Sequence, residues 1–336
     1  MANTYYIFQA GRIKREDQSL VLYHQNGEQK PTIIKRFPIE ATETIYAFGA
    51  LDFNTAALNF LGRKQVAVHF YDYYRNYTGS FMPREQLNAG AVVIAQARFY
   101  LDPKLRIWLA RQFVTGAAKI MLRNLQYYHV RGKEELGEII QAMNLLLQQV
   151  QEAQTIAELM GIEGNLKQYY YQGFNAILPP DFPFEGRTKN PPTNEINALI
   201  SFANSMCYTI CLREIHKTQL NPTISYLHEP GYRRFSLCLD VAEIFKPLIT
   251  DRLIFQLVNT KQIQLKDFQK EAMRCVLNEE GCKTFVRAFE NKLNTTIKHK
   301  ALKRSVSYRT LIRLEAYKII KHIMEIQPYK PLQAWW

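Results

Sequence analysis

The feature that most limits the possible folds is a change of periodicity near residue 82. Before it, short runs rich in Tyr, Phe, Ile and Val (TYYIF, SLVLYH, TIIKRF, TIYAF, VAVHFYDYY) are separated by turn material such as Gln25-Asn26-Gly27-Glu28 and Asn76-Tyr77-Thr78-Gly79. Aromatic and β-branched residues suit a pleated, half-buried surface, so these runs predict strands. Fifteen of the 39 Phe and Tyr residues fall before residue 82, so composition shifts together with period. Met82-Pro83-Arg84 reads as a linker.

From about residue 86 the pattern is helical. Val92, Val93, Gln96, Phe99 and Tyr100 begin a stripe that continues through Ile107, Leu109 and Phe113. Residues 133–158 are rich in Glu, Gln, Leu and Ala, which favour helix. Five of the 14 prolines lie within 179–192, so that stretch is a long loop, and Thr193 or Asn194 caps the helix after it. Helical patterns resume at 193–218, 238–258, 265–296 and 307–325. The expected class is α+β: a small β-rich domain over 1–82, then a larger all-α domain over 83–336.

With 47% hydrophobic and 22% charged residues, the 336-residue chain is neither disordered nor collagen-like, and it buries enough core to fold without staples. Its five cysteines (Cys207, Cys211, Cys238, Cys275, Cys282) are odd in number and form no Cys-x-x-Cys pair. A disulfide framework and a zinc ribbon are therefore disfavoured, and buried reduced thiols in a cytoplasmic protein are expected. No signal peptide is evident at the start, and no apolar run approaches the ~20 residues of a spanning helix, so no membrane partner is expected.

The charge balance, 43 Lys and Arg against 30 Asp and Glu, leaves a net +13. That excess makes polyanions, above all nucleic acid, the first candidate partners. It is unevenly placed: residues 281–336 hold 12 basic and 3 acidic side chains. The densest run contains Lys298, Lys300, Lys303 and Arg304, and basic residues then recur at Arg309, Arg313, Lys318 and Lys321. Such a run is either a solvated face or a phosphate-backbone surface, where each neutralised phosphate releases counterions.

Three stretches are candidates to carry chemistry. In Gly161-Ile162-Glu163-Gly164 a carboxylate sits between two glycines, which allows close approach by a partner; the alternative is a surface glutamate at a helix junction. Three tyrosines, 169 to 171, follow; they read as packing, with stacking on a splayed DNA end as the alternative. In Leu227-His228-Glu229-Pro230-Gly231 an imidazole sits in a turn, followed by Arg233 and Arg234, which suit phosphate oxygens. In Ser236–Lys246, Asp240 and Glu243 share one face of an apolar helix, which calls for a nearby cation unless that face is partly exposed or Asp240 is an N-cap. Glu163, His228 and Glu243 would together make a mixed oxygen and nitrogen site suited to Mg²⁺ or Mn²⁺, beside Arg233, Arg234 and Lys246 for a phosphate-bearing substrate. Spacing alone does not bring these three residues together.

The sequence also resembles the CRISPR-associated spacer integrases, the "Cas one" family. The resemblance is carried by GIEG around Glu163, RTKNPPTNEINALISFANS at 187–205, LHEPGYRRFSLCLDVAEIFKPLITDR at 227–252 and TIKHKALKRSVSYRTLIRLEAYKIIKH at 296–322. It extends over nearly the whole chain and implies a β domain that pairs two protomers, followed by a helical catalytic domain. It implies metal ligation by Glu163, His228 and Glu243, with Asp240 supporting a ligand rather than being one. Family patterns carry Arg after Phe245 where this chain has Lys246, which keeps the charge and loses the planar fork. Arg187 and Asn197 match family positions, to contact substrate or to brace the fold.

The resemblance further implies a homodimer, joined by the small companion protein "Cas two", that inserts captured double-stranded DNA into a repeat array by 3′-hydroxyl attack on a phosphodiester. The alternatives are a hydrolytic repair nuclease using the same site and a nucleic-acid-binding scaffold without catalysis.

Overall fold

The computed structural model describes residues 3–24, 32–83, 87, 89–189, 191–231, 235–271, 273–299 and 301–334. Arg84, Arg233, Arg234, Lys300 and the expected turn at 25–28 lie outside the described residues. The chain divides into two compact units, Met1–Gln86 and Leu87–Trp336.

The first unit contains β1 (Asn3–Ile7), β2 (Gly11–Glu16), β3 (Ser19–Tyr23), β4 (Ile33–Pro38), β5 (Thr42–Ala47), β6 (Leu51–Phe53), α1 (Thr55–Arg63), β7 (Ala67–Tyr71) and β8 (Tyr77–Phe81). They form two four-stranded sheets, ordered β1-β5-β7-β8 and β4-β3-β2-β6. β1, β5 and β7 run parallel, and β8 closes that sheet antiparallel. The core holds Ile7, Ile13, Leu20, Phe37, Ile45, Leu61 and Val68. At Gly11 an added Cβ would lie 2.3 Å from the Tyr23 carbonyl oxygen, so only glycine lets β2 and β3 approach there.

Two sequence readings shift in this unit. Residues 76–79, expected as a turn, mostly belong to β8, and the reversal sits earlier. There Asp72 accepts the Asn76 amide at 2.8 Å and Arg75 takes φ 67°. Residues 55–63 form a helix, because Asn54 caps it by accepting the Ala57 amide at 2.9 Å.

The second unit comprises α2 (Gly90–Leu101), α3 (Pro103–His129), α4 (Leu136–Gln149), α5 (Ile156–Gln172), α6 (Phe174–Ile177), α7 (Glu195–His216), α8 (Ser236–Phe245), α9 (Arg252–Asn259), β9 (Phe268–Glu271), β10 (Arg274–Leu277), α10 (Glu279–Asn294), β11 (Thr296–His299), β12 (Arg304–Ser307) and α11 (Tyr308–Ile323). A π-helical segment, Lys246–Asp251, joins α8 to α9. α8 is buried nearly all round and packs against both α3 and α7, which places its acids inside the unit.

The breaks between helices follow capping chemistry. Asp102 accepts the amides of Lys104 and Leu105 at 2.8 and 3.1 Å, with Pro103 opening α3, so the long apolar stripe becomes two helices. Thr155 and Glu158 form a capping box at the start of α5, which splits the run read as continuous over 133–158. Asn194, one of the two candidates, caps α7.

The expected all-α character is corrected by two hairpins. Residues 265–277, read as helical, form a 3₁₀ turn and the antiparallel pair β9–β10. The basic run at 298–304 lies on β11–β12 and their connection, not on a helix. All five cysteines are free and buried. Among the described residues no helix is long and apolar enough to cross a membrane.

Candidate metal centre and nucleic-acid interface

Glu163 lies in the middle of α5, not at a helix junction. Its neighbours Gly161 and Gly164 face open space: a Cβ at either would meet nothing within 4 Å. One turn on, Lys167 pairs with Glu163 Oε1, and the same ammonium lies 2.8 Å from Glu243 Oε2. Two acids remote in sequence therefore converge on one positive charge. Glu243 is only 4% exposed, and its other oxygen accepts from Lys246 at 2.6 Å. Burial opposes its ionisation, but Lys167 and Lys246 outweigh burial and hold the carboxyl well below the usual carboxylate range. Burial likewise works against the charge on Lys167, and Glu243 and Glu163 raise its pKa well above that of an ordinary lysine.

His228 is placed by Asp240. The Asp240 carboxylate, fully buried, accepts the backbone amides of Tyr226, Leu227 and His228 at 2.7, 3.0 and 3.0 Å. It also lies 2.8 Å from His228 Nδ1. A carboxylate in that setting accepts from Nδ1–H, which leaves the Nε2 lone pair free. From the other side Arg106 donates to the Tyr226 carbonyl at 2.9 Å and pairs with Glu229 at 2.6 Å. Tyr100 donates to the same Glu229 carboxylate at 3.0 Å.

The arrangement fits a divalent cation in part. Glu163 Oε1 and Glu243 Oε2 are buried and accept no well-aligned hydrogen bond, although an ammonium faces both. Hard oxygens short of donors are the chemistry that Mg²⁺ or Mn²⁺ satisfies. Among the described residues no three His, Cys, Asp or Glu side chains stand as a ready-made metal cluster. Lys167 bridges the acids, and the imidazole is anchored on Asp240.

The basic residues divide into several groups. Arg187 turns its guanidinium inward, donating to Asn197 Oδ1 and Ser201 Oγ at 2.9 Å each, so it braces the proline-rich loop. Lys189, on the same loop, has its pKa lowered by burial and by Lys167, Arg187 and Lys246, with Glu243 opposing the shift. Lys298, Lys303 and Arg304 are exposed on the β11–β12 hairpin. Arg309 pairs with Glu290 at 2.7 Å, Arg313 with Glu214 at 2.6 Å and Lys318 with Glu315 at 2.7 Å, so these three brace the fold.

Of the three tyrosines, Tyr170 is buried and its hydroxyl accepts from Asn124 at 2.9 Å. Tyr171 packs edge-on against Phe174, and Tyr169 is exposed.

The sequence reading missed Lys167, Lys189 and Arg106. Only Lys167 left a signal, its i,i+4 spacing from Glu163.

The profile of the family described as "CRISPR associated protein Cas1" matches residues 5–291. The chain belongs to the Cas1 family. A Cas1 of Thermodesulfovibrio yellowstonii, named "CRISPR-associated endonuclease Cas1 3", is 50% identical over 332 residues, 99% of either chain. The solved Cas1 of Thermotoga maritima matches with a TM-score of 0.86 at 36% identity, covering 98% of this chain and 100% of that one. A casposase bound to an integration product also reaches 0.86, covering 98% and 93%, but at 19% identity it shows the shared fold alone. The two-part order, β-rich then helical, is the Cas1 architecture that the sequence motifs imply.

Proposed function

We propose that the protein is a metal-dependent DNA endonuclease and integrase, which inserts captured fragments into a CRISPR repeat array. The observation that carries this reading is the convergence of Glu163 and Glu243 on the Lys167 ammonium, with Asp240, one helical turn from Glu243, tethering His228. Glu163, Glu243 and His228 would hold Mg²⁺ or Mn²⁺, and a bound ion of that kind polarises a phosphoryl oxygen and steadies a leaving alkoxide.

The chain's own residues do the rest. Asp240 fixes the imidazole tautomer, and the Arg106–Glu229 pair holds the loop that carries it. Lys189 adds positive charge beside the acids, where a scissile phosphate is negative. The glycines flanking Glu163 leave open the side from which a DNA backbone approaches. A 3′-hydroxyl held within ~3–3.5 Å of the phosphorus, in line with the leaving oxygen, completes the reaction geometry. Substrate duplex, a second copy of the chain and the companion "Cas two" are the partners this reading assigns, in a prokaryotic cytoplasm.

The test is strand transfer with labelled duplex and a repeat-bearing target. Glu163→Ala, His228→Ala and Glu243→Ala should each abolish metal-dependent joining while duplex binding survives. Shortened strands without joined product would favour the hydrolytic nuclease. Undiminished joining by His228→Ala would refute the site assignment, and variants without any effect would leave a binding scaffold.

A further inference from the structure

The geometry points to Lys167 as a tethered counter-ion: it holds Glu163 and Glu243 together in the metal-free protein and must leave before a divalent cation binds. This inference rests on the metal-site reading above and adds a competitor built into the chain.

The contacts argue for it. Lys167 Nζ is 2.8 Å from Glu243 Oε2 and pairs also with Glu163 Oε1. Those two oxygens are the ones left without a well-aligned hydrogen bond, so they are the ones a metal would use. An ammonium and a divalent ion cannot occupy the same point between them. Without either cation, two carboxylates on separate helices, α5 and α8, repel each other in a poorly solvated place.

The exposures are unequal in a telling way. The Lys167 side chain is 27% exposed, against 4% for Glu243. Glu163 is 15% exposed, so both acids are more buried than the lysine, which sits on a flexible four-carbon stem. Lys246 differs: it pairs with Glu243 Oε1, and among the described residues no ion pair joins it to Glu163. Removing Lys246 would therefore expose one carboxylate, whereas removing Lys167 opens the shared position.

Competition has a thermodynamic signature. A ligand that binds only the lysine-out state has its affinity reduced by the fraction of that state. If the ammonium is out about a tenth of the time, deleting it tightens metal binding about tenfold. The same deletion weakens the metal-free fold, because the acids lose their partner.

The experiment compares wild type, Lys167→Met, Lys167→Arg and Glu243→Gln in full-length protein. Mn²⁺ affinity is read by titration calorimetry or by the free-Mn²⁺ electron paramagnetic resonance signal, and melting temperature is read in EDTA and in Mn²⁺. Lys167→Met should bind Mn²⁺ about tenfold tighter, melt lower in EDTA and gain more from Mn²⁺ than wild type. Lys167→Arg, with a fork suited to carboxylates, should bind Mn²⁺ more weakly than wild type, and it serves as the measurement if Lys167→Met does not fold. Unchanged or weaker Mn²⁺ binding by Lys167→Met, or tighter binding by Lys167→Arg, would overturn the inference. Glu243→Gln separates the two readings: if it leaves Mn²⁺ binding intact, the metal site itself is misplaced. If it abolishes binding while Lys167→Met changes nothing, only the counter-ion role fails.

Discussion

Asp240 and His228, twelve positions apart, are joined by a 2.8 Å contact between Oδ1 and Nδ1, and the same carboxylate gathers three consecutive backbone amides of the loop. One buried acid thus sets both the loop's path and the ring's tautomer. Asp240→Asn keeps the shape, but its amide end presents donors to donors. We expect a loss of about 10- to 100-fold in metal affinity or strand transfer, as for other groups that orient a ligand. Hydrogen exchange at the Tyr226–His228 amides should accelerate in the same variant. Unchanged exchange and activity would show that the loop holds itself without this carboxylate.

Gly161 and Gly164 lie within α5, where glycine destabilises a helix by about 0.5–1 kcal/mol relative to alanine. No packing explains them, because a Cβ at either position meets nothing within 4 Å. On the proposed function, they leave room for DNA to approach Glu163. Gly164→Ala should therefore raise stability by about 0.5–1 kcal/mol and lower cleavage or joining by about 10- to 100-fold, since small displacements of reacting groups are expensive. Denaturant titration and an oligonucleotide assay read the two effects. A stabilised variant with full activity would remove the close-approach argument.

Much of this was legible in the sequence because the signals were local. The change at residue 82 marked the β-rich start, and Asn194 as a cap was visible from its position before an apolar run. Glu243 and Asp240 were readable as a pair because a three-residue spacing fixes a shared helix face. What stayed hidden was tertiary. That Lys167 on α5 reaches Glu243 on α8 is a tertiary contact, which no spacing reports. Residues 265–277 carried helix-compatible apolar positions, yet Cys275 pairs with Lys270 in a hairpin whose Cys275 amide donates to the Pro192 carbonyl at 2.8 Å. The basic run shows the same limit: charge density is visible in sequence, whereas a tight reversal at Lys303, φ 53°, is not.

Asp251, in the π-helical segment, predicts a pH dependence. Burial pushes its carboxyl up to about 7. A carboxyl whose folded value exceeds its unfolded one binds extra protons in the folded state between those two values. Stability should then fall as pH rises from about 4 to about 7 and level off above that. Three units correspond to at most about 4 kcal/mol. Asp251→Asn removes this slope, so in EDTA its unfolding free energy relative to wild type should be higher at pH 8 than at pH 5. Parallel pH profiles for the two proteins would mean that Asp251 is ionised in the fold already at pH 5.

The β11–β12 hairpin makes a test of DNA contact that a helix would not. Lys298 faces the same side as its partner Ser305, and Arg304 the same side as His299, so the two basic groups point to opposite faces of the ribbon. A duplex lying against one face touches one of them. Each lost phosphate contact should flatten the slope of log K against log[salt] by about one unit. Lys298→Gln and Arg304→Gln should therefore differ, one reducing the slope by about one unit and the other leaving it unchanged. Lys303→Gln keeps a side chain at φ 53°, so its backbone strain cancels and any slope change reports charge alone. Equal reductions from Lys298→Gln and Arg304→Gln would mean that DNA wraps the hairpin. No reduction from any of the three would return it to an ordinary solvated surface, and the duplex track would run elsewhere.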